Sequence, residues 1–226
     1  MLLRAGYQTS NTTCSMYKLP YFIENDPSVV MQFVKDHPFA FLSGCDETNK
    51  PVVTQIPVFI DERDGKLFLS GHIMKNTDHH KAFLSNPNVL AVFTGAHTYI
   101  SASWYANKEQ ASTWNYMTVQ ARGVLKFTDE AALLNILKRT TDHYENNPSS
   151  GANFDDLPQE YIQRLSKAIE AFEIEVLALE NTFKLSQNRD EKSYHNIIAK
   201  LKEQGGDGLI IAGEMEKRTA QLFNKE

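Results

Sequence analysis

A histidine, a lysine and a threonine stand close together where a strand is predicted to give way to a helix. His72, Lys75 and Thr77 follow the apolar run GKLFLSG and precede a short segment of helical pattern. Backbone N–H groups at the start of a helix lack partners within that helix and favour an anion. We expect the strand to end at Gly71, which would let a ligand approach the backbone. The pattern predicts a phosphate site here, with Thr77 as the helix cap. The alternative is that His72 and Lys75 are solvated loop residues.

Other catalytic arrangements are weak in this sequence. His72, His79 and His80 are close in the chain, but adjacent histidines on a helix point about 100° apart. No cysteine or carboxylate completes a familiar metal-ligand spacing. The chain has no P-loop, no G-x-G-x-x-G and no G-x-S-x-G motif. We therefore predict no metal site and assign no catalytic residue.

Aromatic side chains are concentrated in residues 97–116, which contain both tryptophans and several tyrosines around a polar loop. An indole or a phenol offers a large face and one hydrogen-bond donor, which suits a half-wet site. Such a segment could cover a flat ligand. It could equally fill a subunit interface or a core, and the two functions are compatible where a ligand lies between subunits.

Composition limits the class of protein. The chain has 226 residues, 42% of them hydrophobic, a net charge of −5 and a pI near 5.8. These values are typical of a globular protein and give no overall attraction to nucleic acid or to an anionic membrane. Two cysteines and the absence of a long apolar run predict a cytoplasmic protein without a membrane span. Residues 1–15 are interpreted as a disordered leader, and residues 16–226 as one domain.

The order of apolar runs predicts a mainly β fold. Three runs between residues 39 and 71, separated by polar turns, indicate antiparallel hairpins, and Pro57 moves the second run toward an edge or a bulge. Further strands are predicted at 88–95, 99–105, 113–127 and 172–180. Helices are predicted at 27–37, 76–85, 129–145 and 158–170, and on both sides of Gly205-Gly206. The chain should form one closed or nearly closed β-barrel, with helical additions in residues 129–226.

Several words of the sequence, in this order, resemble the PaiB family of FMN-binding transcriptional regulators, a member of the split-barrel flavoprotein group. The words are Met16-Tyr17 with Pro20 and Phe22, HPFAFLSG (37–44), TQIPVFID (54–61), GHIMK (71–75), NPNVLAVFTGAHTYISASWY (86–105), TWNY (113–116) and KLSQNR (184–189). The resemblance covers residues 16–191. It implies a six-stranded split β-barrel of the pyridoxamine-phosphate-oxidase-like type, a homodimer, and FMN at or near the subunit interface.

The resemblance also implies which residues bind FMN. One strand would line the isoalloxazine ring: Thr54, Gln55, Ile56 and Pro57. The turn after the next predicted strand would hold the ribityl phosphate: Gly71, His72, Lys75, Asn76 and Thr77. A third set would close the site from the partner subunit: Trp114, Asn115, Lys184 and Gln187.

Three functions remain open at this stage. The first, implied by the resemblance, is a flavin-binding repressor of transcription, although the chain shows no basic recognition helix and DNA contact could be indirect. The second is an FMN-dependent oxidoreductase or reductase acting on a small molecule, in which the flavin carries the chemistry. The third is a haem-handling protein on the same barrel, with His72 or His97 as the axial ligand.

Overall fold

The computed structural model describes residues 19–145, 147 and 151–223. The predicted leader at residues 1–15 and the Met16-Tyr17 word lie outside these ranges. Within them, no helix has the length and apolar character needed to cross a membrane.

Seven strands form a single sheet in the order β2-β1-β5-β6-β7-β4-β3. Their bounds are β1 Phe39–Cys45, β2 Pro51–Pro57, β3 Phe59–Arg63, β4 Lys66–Met74, β5 Asn88–Ile100, β6 Thr113–Phe127 and β7 Ile169–Lys184. The six strands expected from the resemblance are therefore corrected to seven. The run around Pro57 divides into β2 and β3, because a proline cannot donate to a strand ladder. Both pieces are edge strands, as Pro57 predicted.

Six α-helices accompany the sheet in the described ranges. They are α1 Pro27–Asp36, α2 Asp78–Ser85, α3 Glu130–Glu145, α4 Gln159–Ser166, α5 Glu191–Gln204 and α6 Asp207–Phe223. Two predicted bounds were wrong. The expected strand at 99–105 stops at Ile100 and gives way to a single 3-10 turn, Ala102–Trp104. The expected helix at 158–170 stops at Ser166, because Ile169 already pairs with Met74 as the first residue of β7.

Side-chain caps stand at the starts of several helices. Asp26 accepts a hydrogen bond from the Ser28 N–H at 2.8 Å at the start of α1. Asp190 accepts one from the Ser193 N–H at 2.9 Å at the start of α5. Each cap satisfies a backbone donor that the helix itself leaves unpaired. A third cap, Thr77, belongs to the candidate site.

The chain divides into two compact units. The described part of the first comprises Pro38–Phe93, 120–145, 147 and 151–179, and that of the second comprises residues 19–37, Thr94–Val119 and 180–223. Strands β5, β6 and β7 each contribute residues to both units. The single domain expected for residues 16–226 remains a prediction.

The first unit contains a hairpin with one covered and one uncovered face. Strand β1 pairs antiparallel with β2 and with β5. Ala40 and Leu42 of β1 are buried on the face contacted by α2. On the other end of this unit, Leu133 and Ile136 of α3 pack against Ala171 of β7. Helices therefore cover particular sheet faces and leave others accessible.

The second unit has its own core, which contains helices α1, α5 and α6. Gly95 lies against α1, since a Cβ there would be 2.8 Å from the Phe33 ring. The buried Tyr194 of α5 donates its hydroxyl hydrogen to the Met215 carbonyl of α6 at 2.9 Å. Burial raises the pKa of Tyr194 well above its ordinary value, so this phenol stays a hydrogen-bond donor.

Candidate functional site

Strand β2 carries the residues predicted to line a flavin ring. Gln55 pairs with Phe41 of β1, and both side chains point to the uncovered face of the hairpin. Ile56 points to the opposite face and is buried in the core, so only its backbone is accessible to a ligand. Because β2 is an edge strand, one row of its N–H and C=O groups has no neighbouring strand. A polar ring edge can hydrogen-bond to such a row. Thr54, Gln55, Ile56 and Pro57 lie along this edge, and alternate residues direct their backbone groups outward.

The predicted end of strand β4 at Gly71 was wrong. The strand continues to Met74, because Gly71 pairs with Phe172 of β7 and this pairing runs on to the end of the strand. A Cβ at residue 71 would lie 3.0 Å from both the Phe172 ring and the Pro57 carbonyl oxygen. Glycine at position 71 is therefore required for close packing within the protein. Protein atoms occupy the space where a side chain would stand, so this space is not available to a ligand. The same contact places the predicted residues Pro57 and Gly71 side by side.

His72 lies on the face of β4 shared with its pairing partner Ala171, against which α3 packs. This half-buried position lowers the pKa of His72, because burial penalises the charged imidazolium. The ring is therefore neutral near pH 7 and can donate a hydrogen bond without adding charge. Its predicted contact with the phosphate remains a prediction.

The turn between β4 and α2 pairs several of the backbone amides that the sequence predicted to be unpaired. Thr77 caps α2 as expected, accepting from the His80 N–H at 3.2 Å. Three further backbone donors have partners within the first unit: Lys75 N–H to the Ala168 carbonyl, Asn76 N–H to His80 Nδ1, and His79 N–H to the Asp78 carboxylate. Asp78 and His80 thus supply acceptors at the helix start. For the N–H groups of Thr77 and Asp78 no partner is found among the described residues, so the expectation of unpaired amides is wrong for part of the turn and stays a prediction for these two.

Lys75 is the group of this turn that still fits a phosphate. Its side chain is half-buried, and no ion pair of Lys75 is found among the described residues. Next to it, Asn76 has a left-handed backbone with φ 65°. On one side Lys75 borders a cavity of about 530 Å³. This cavity is also lined by the ammonium of Lys167 and by three carboxylates, those of Asp129, Glu130 and Glu170. An anion would be repelled within that cavity, so a phosphate on Lys75 has to approach from another direction.

The remaining predicted residues belong to the second unit, where two of the four border a cavity of about 390 Å³. Asn115 is fully buried, and its carbonyl oxygen accepts from the Ser186 hydroxyl at 3.0 Å. Lys184 donates to the Thr113 hydroxyl oxygen at 2.7 Å. Burial, and then the charge of Arg189, lower the pKa of Lys184 below its ordinary value. The cavity is lined by Tyr21, Phe22, Gln110, Ala111, Ser112, Thr113, Asn115, Lys184, Ser186, Asn188 and Arg189.

The other two predicted residues do not line this cavity. Gln187 holds the turn after β7, donating to the Phe183 carbonyl at 2.5 Å and accepting from the Leu185 N–H at 2.7 Å. Trp114 is 52% exposed and lies beside Tyr99, with ring centroids 5.9 Å apart. Alternation along β6 puts Trp114 and the buried Asn115 on opposite faces of the strand.

Arg189 is a cavity residue that the sequence reasoning missed. Its guanidinium stacks on the Tyr105 ring, with 4.3 Å between the guanidinium carbon and the ring centroid, and it donates to Gln110. Its Nε is buried and has no hydrogen-bond partner in the part of the chain that the structure describes. The signal was present, because Arg189 closes the KLSQNR word from which Lys184 and Gln187 were selected.

The sheet order and the hairpin pairings define a split-barrel fold with a seven-stranded sheet among the described residues. The chain belongs to the family whose model is described as "Putative FMN-binding domain", which matches residues 16–178. FMN is accordingly its cofactor. The residues that fit FMN are the free edge of β2 for the ring and Lys75 for the phosphate.

Relatives support this assignment at the level of sequence. The chain is 30% identical over 204 residues to "Protease synthase and sporulation protein PAI 2" of Bacillus subtilis, covering 90% of this chain and 98% of that protein. The predicted PaiB resemblance is therefore confirmed. The chain is also 24% identical to an uncharacterized protein of Emericella nidulans, covering 90% of this chain and 97% of the relative.

Solved structures support the fold. A conserved hypothetical protein, Rv2991, of Mycobacterium tuberculosis is similar with a TM-score of 0.53 and 12% identity, covering 74% of this chain and 90% of that one. The flavocytochrome Anf3 of Azotobacter vinelandii is similar with a TM-score of 0.50 and 16% identity, covering 72% of this chain and 69% of that one. At these identities the likeness concerns the fold alone.

Proposed function

We propose that this protein is a homodimeric FMN-binding regulator of gene expression, similar in role to the Bacillus subtilis protein PAI 2. The printed name of that relative connects it with protease synthesis and sporulation. A regulator needs few catalytic side chains, which agrees with the unassigned catalytic residues. The proposal places the protein in a reducing cytoplasm, and Cys45 is a free thiol.

The observation that carries the dimer is the uncovered face of the β1–β2 hairpin. Phe39 and Val53 are 57% and 58% exposed, and Phe41 lies between them on the same face. Apolar side chains gathered on one sheet face mark an interaction surface. A second copy of the chain would bury them, and a flavin on the free edge of β2 would then lie at the border of that interface.

The protein's part in FMN binding is to hold and orient the cofactor. We propose that Thr54, Gln55, Ile56 and Pro57 contact the isoalloxazine along the edge of β2. Lys75 would neutralise the phosphate, assisted by the neutral His72. The redox chemistry available at this site is that of the flavin itself.

The test is the association state of a variant in which this face is charged. Replacing Phe41 with Glu should give a monomer that retains less FMN, because a buried charge opposes the association. Leu84→Glu is a matched control, since Leu84 is 60% exposed on α2, away from the hairpin's uncovered face. Light scattering measures the association state of each purified protein, and flavin absorbance measures how much FMN it retains. A wild-type monomer, or an F41E protein that stays dimeric, would refute the proposed interface.

A second candidate, an FMN-dependent oxidoreductase acting on a small anion, is favoured by the cationic cavity beside Lys184 and Arg189. Bleaching of the flavin spectrum by NADH or NADPH, followed by reoxidation with a substrate, would support the enzyme. A flavin that stays oxidised under these conditions would favour the regulator.

A further inference from the structure

His80 is a buried polar residue of α2, and its ring connects the turn before this helix to strand β7. Its side chain is 8% exposed and lies beside the Phe127 ring, with the ring centroids 5.0 Å apart. One ring nitrogen, Nδ1, is 3.3 Å from the Asn76 backbone nitrogen, and the other, Nε2, is 2.8 Å from the Glu170 carboxylate. All four residues belong to the first unit. A single imidazole therefore joins this turn to a strand that lies 90 residues further along the chain.

The two contacts define the hydrogen-bonding state of the His80 ring. A backbone N–H only donates, so Nδ1 has to accept the hydrogen of the Asn76 amide. The ring hydrogen is then on Nε2, which donates it to the Glu170 carboxylate. Each contact uses a different nitrogen. A side chain that replaces only one of the two nitrogens therefore keeps only one of the two contacts.

The amide that donates to His80 belongs to a residue with an unusual backbone. Asn76 has φ 65°, in the left-handed region that is sterically costly for residues other than glycine. Such a backbone persists where surrounding contacts hold it. The N–H of Asn76 is held by His80, and the N–H of the preceding Lys75 is held by the Ala168 carbonyl at 2.9 Å. The path of the chain at Lys75 is thus fixed at its own amide and at the next one.

We propose that His80 is a positioning residue for the FMN phosphate, acting through the Asn76 amide to hold the turn that presents the Lys75 ammonium. The inference rests on the proposed contact between Lys75 and the phosphate, and it adds the group that keeps this ammonium in place. An ammonium on a flexible four-carbon stem lacks the fixed geometry of a guanidinium, so its placement depends on the backbone that carries it. His80 therefore governs the preference for FMN over riboflavin, which has the same ring system without the phosphate.

The ratio of the two flavin affinities separates positioning from stability. A residue that only stabilises the fold affects both flavins equally, because both need the folded protein and the free edge of β2. A residue that positions the phosphate contact affects FMN alone.

Two substitutions divide the contacts of His80. His80→Asn places an amide oxygen close to the position of Nδ1, so it keeps an acceptor for the Asn76 N–H and loses the contact with Glu170. His80→Gln places an amide nitrogen close to the position of Nε2, so it keeps a donor to Glu170 and loses the acceptor. His79→Gln is the matched control, since this neighbouring histidine of α2 contacts the Asp78 carboxylate instead.

The measurement is a titration of full-length, flavin-free protein with FMN and with riboflavin, followed by flavin fluorescence. Wild type, H79Q and H80N should bind FMN more tightly than riboflavin by similar factors. In H80Q this factor should fall by about fivefold or more, because the acceptor of one hydrogen bond is lost. The affinity for riboflavin should be similar in all four proteins.

Lys75→Glu in the same series distinguishes failure of this inference from failure of the proposed phosphate contact. If wild type shows no preference for FMN, or if K75E keeps it, the contact between Lys75 and the phosphate is refuted and the inference falls with it. If K75E loses the preference and H80Q keeps it, only the role of His80 is refuted. That role is also overturned if H80N loses the preference as H80Q does, or if H80Q loses riboflavin affinity to the same extent as FMN affinity.

Discussion

Lys75 is the residue on which the proposed phosphate contact depends. It stands half-buried after β4, and its own backbone amide and that of Asn76 already have partners within the chain. We expect Lys75→Glu to weaken FMN binding by about tenfold or more, because a charge-assisted hydrogen bond is replaced by repulsion of the phosphate. Titration of the flavin-free protein with FMN, followed by flavin fluorescence, measures the change.

Lys81→Glu supplies the matched control for this substitution. Lys81 is exposed on α2, a short distance further along the chain, so its replacement changes the net charge by the same amount. FMN should bind to K81E as it does to wild type. Equal affinity of K75E and K81E would remove Lys75 from the phosphate site.

At the scale of single residues, two words of the sequence contribute to one cavity. Lys184 of the KLSQNR word and Asn115 of the TWNY word both border the cavity of about 390 Å³. Arg189 was passed over, and Trp114 and Gln187 face elsewhere. Which member of a word faces a cavity depends on strand alternation and on the turn after β7, where Ser186 has φ 63°.

At the scale of elements, two glycines predict opposite effects of the same substitution. A Cβ at Gly123 of β6 would lie 2.3 Å from the Glu175 carbonyl oxygen of β7, whereas one at Gly213 of α6 meets nothing within 4 Å. We expect Gly123→Ala to destabilise the protein by about 1–3 kcal/mol, because the backbone of β7 has to shift. Gly213→Ala should stabilise it by about 0.5–1 kcal/mol, because alanine favours a helix interior.

Urea unfolding of the two variants and wild type measures both effects in one experiment. Both substitutions add the same methyl group. Opposite signs of the change in the free energy of unfolding would therefore reflect the different surroundings of the two glycines. A G123A protein as stable as wild type would mean that β6 and β7 are not as close at this point as the structure shows.

Short-range sequence patterns predicted the helix starts and the edge strands, because neighbouring residues control both features. Asp26, Thr77 and Asp190 begin helices because their side chains accept from nearby backbone donors, and Pro57 limits β2 and β3 to the edges of the sheet. The length of β4 was not predictable in this way. Its last residues are strand because they pair with β7, which lies about a hundred residues further along the chain.

At the scale of the whole molecule, the net charge bears on whether the protein binds DNA. With a net charge of −5, the protein lacks the overall electrostatic attraction that supplies most non-specific DNA affinity. We therefore expect the purified protein alone not to retard DNA fragments in gels at about 150 mM salt. Regulation would then proceed through a partner protein. A specific shift that survives this salt concentration would contradict the expectation and indicate a local basic surface.

By itself, the sequence determined the mainly β class, the position of most helices and the FMN-binding family. These features depend on short-range patterns and on words that are matched without knowledge of the fold. Tertiary structure alone decided the seventh strand, the continuation of β4 past Gly71, and the partners of the amides before α2. It also decided that Arg189 and Lys184 border the same cavity. The physical reason is that pairing, packing and charge compensation are made between residues distant in the chain, and only the folded backbone brings those residues together.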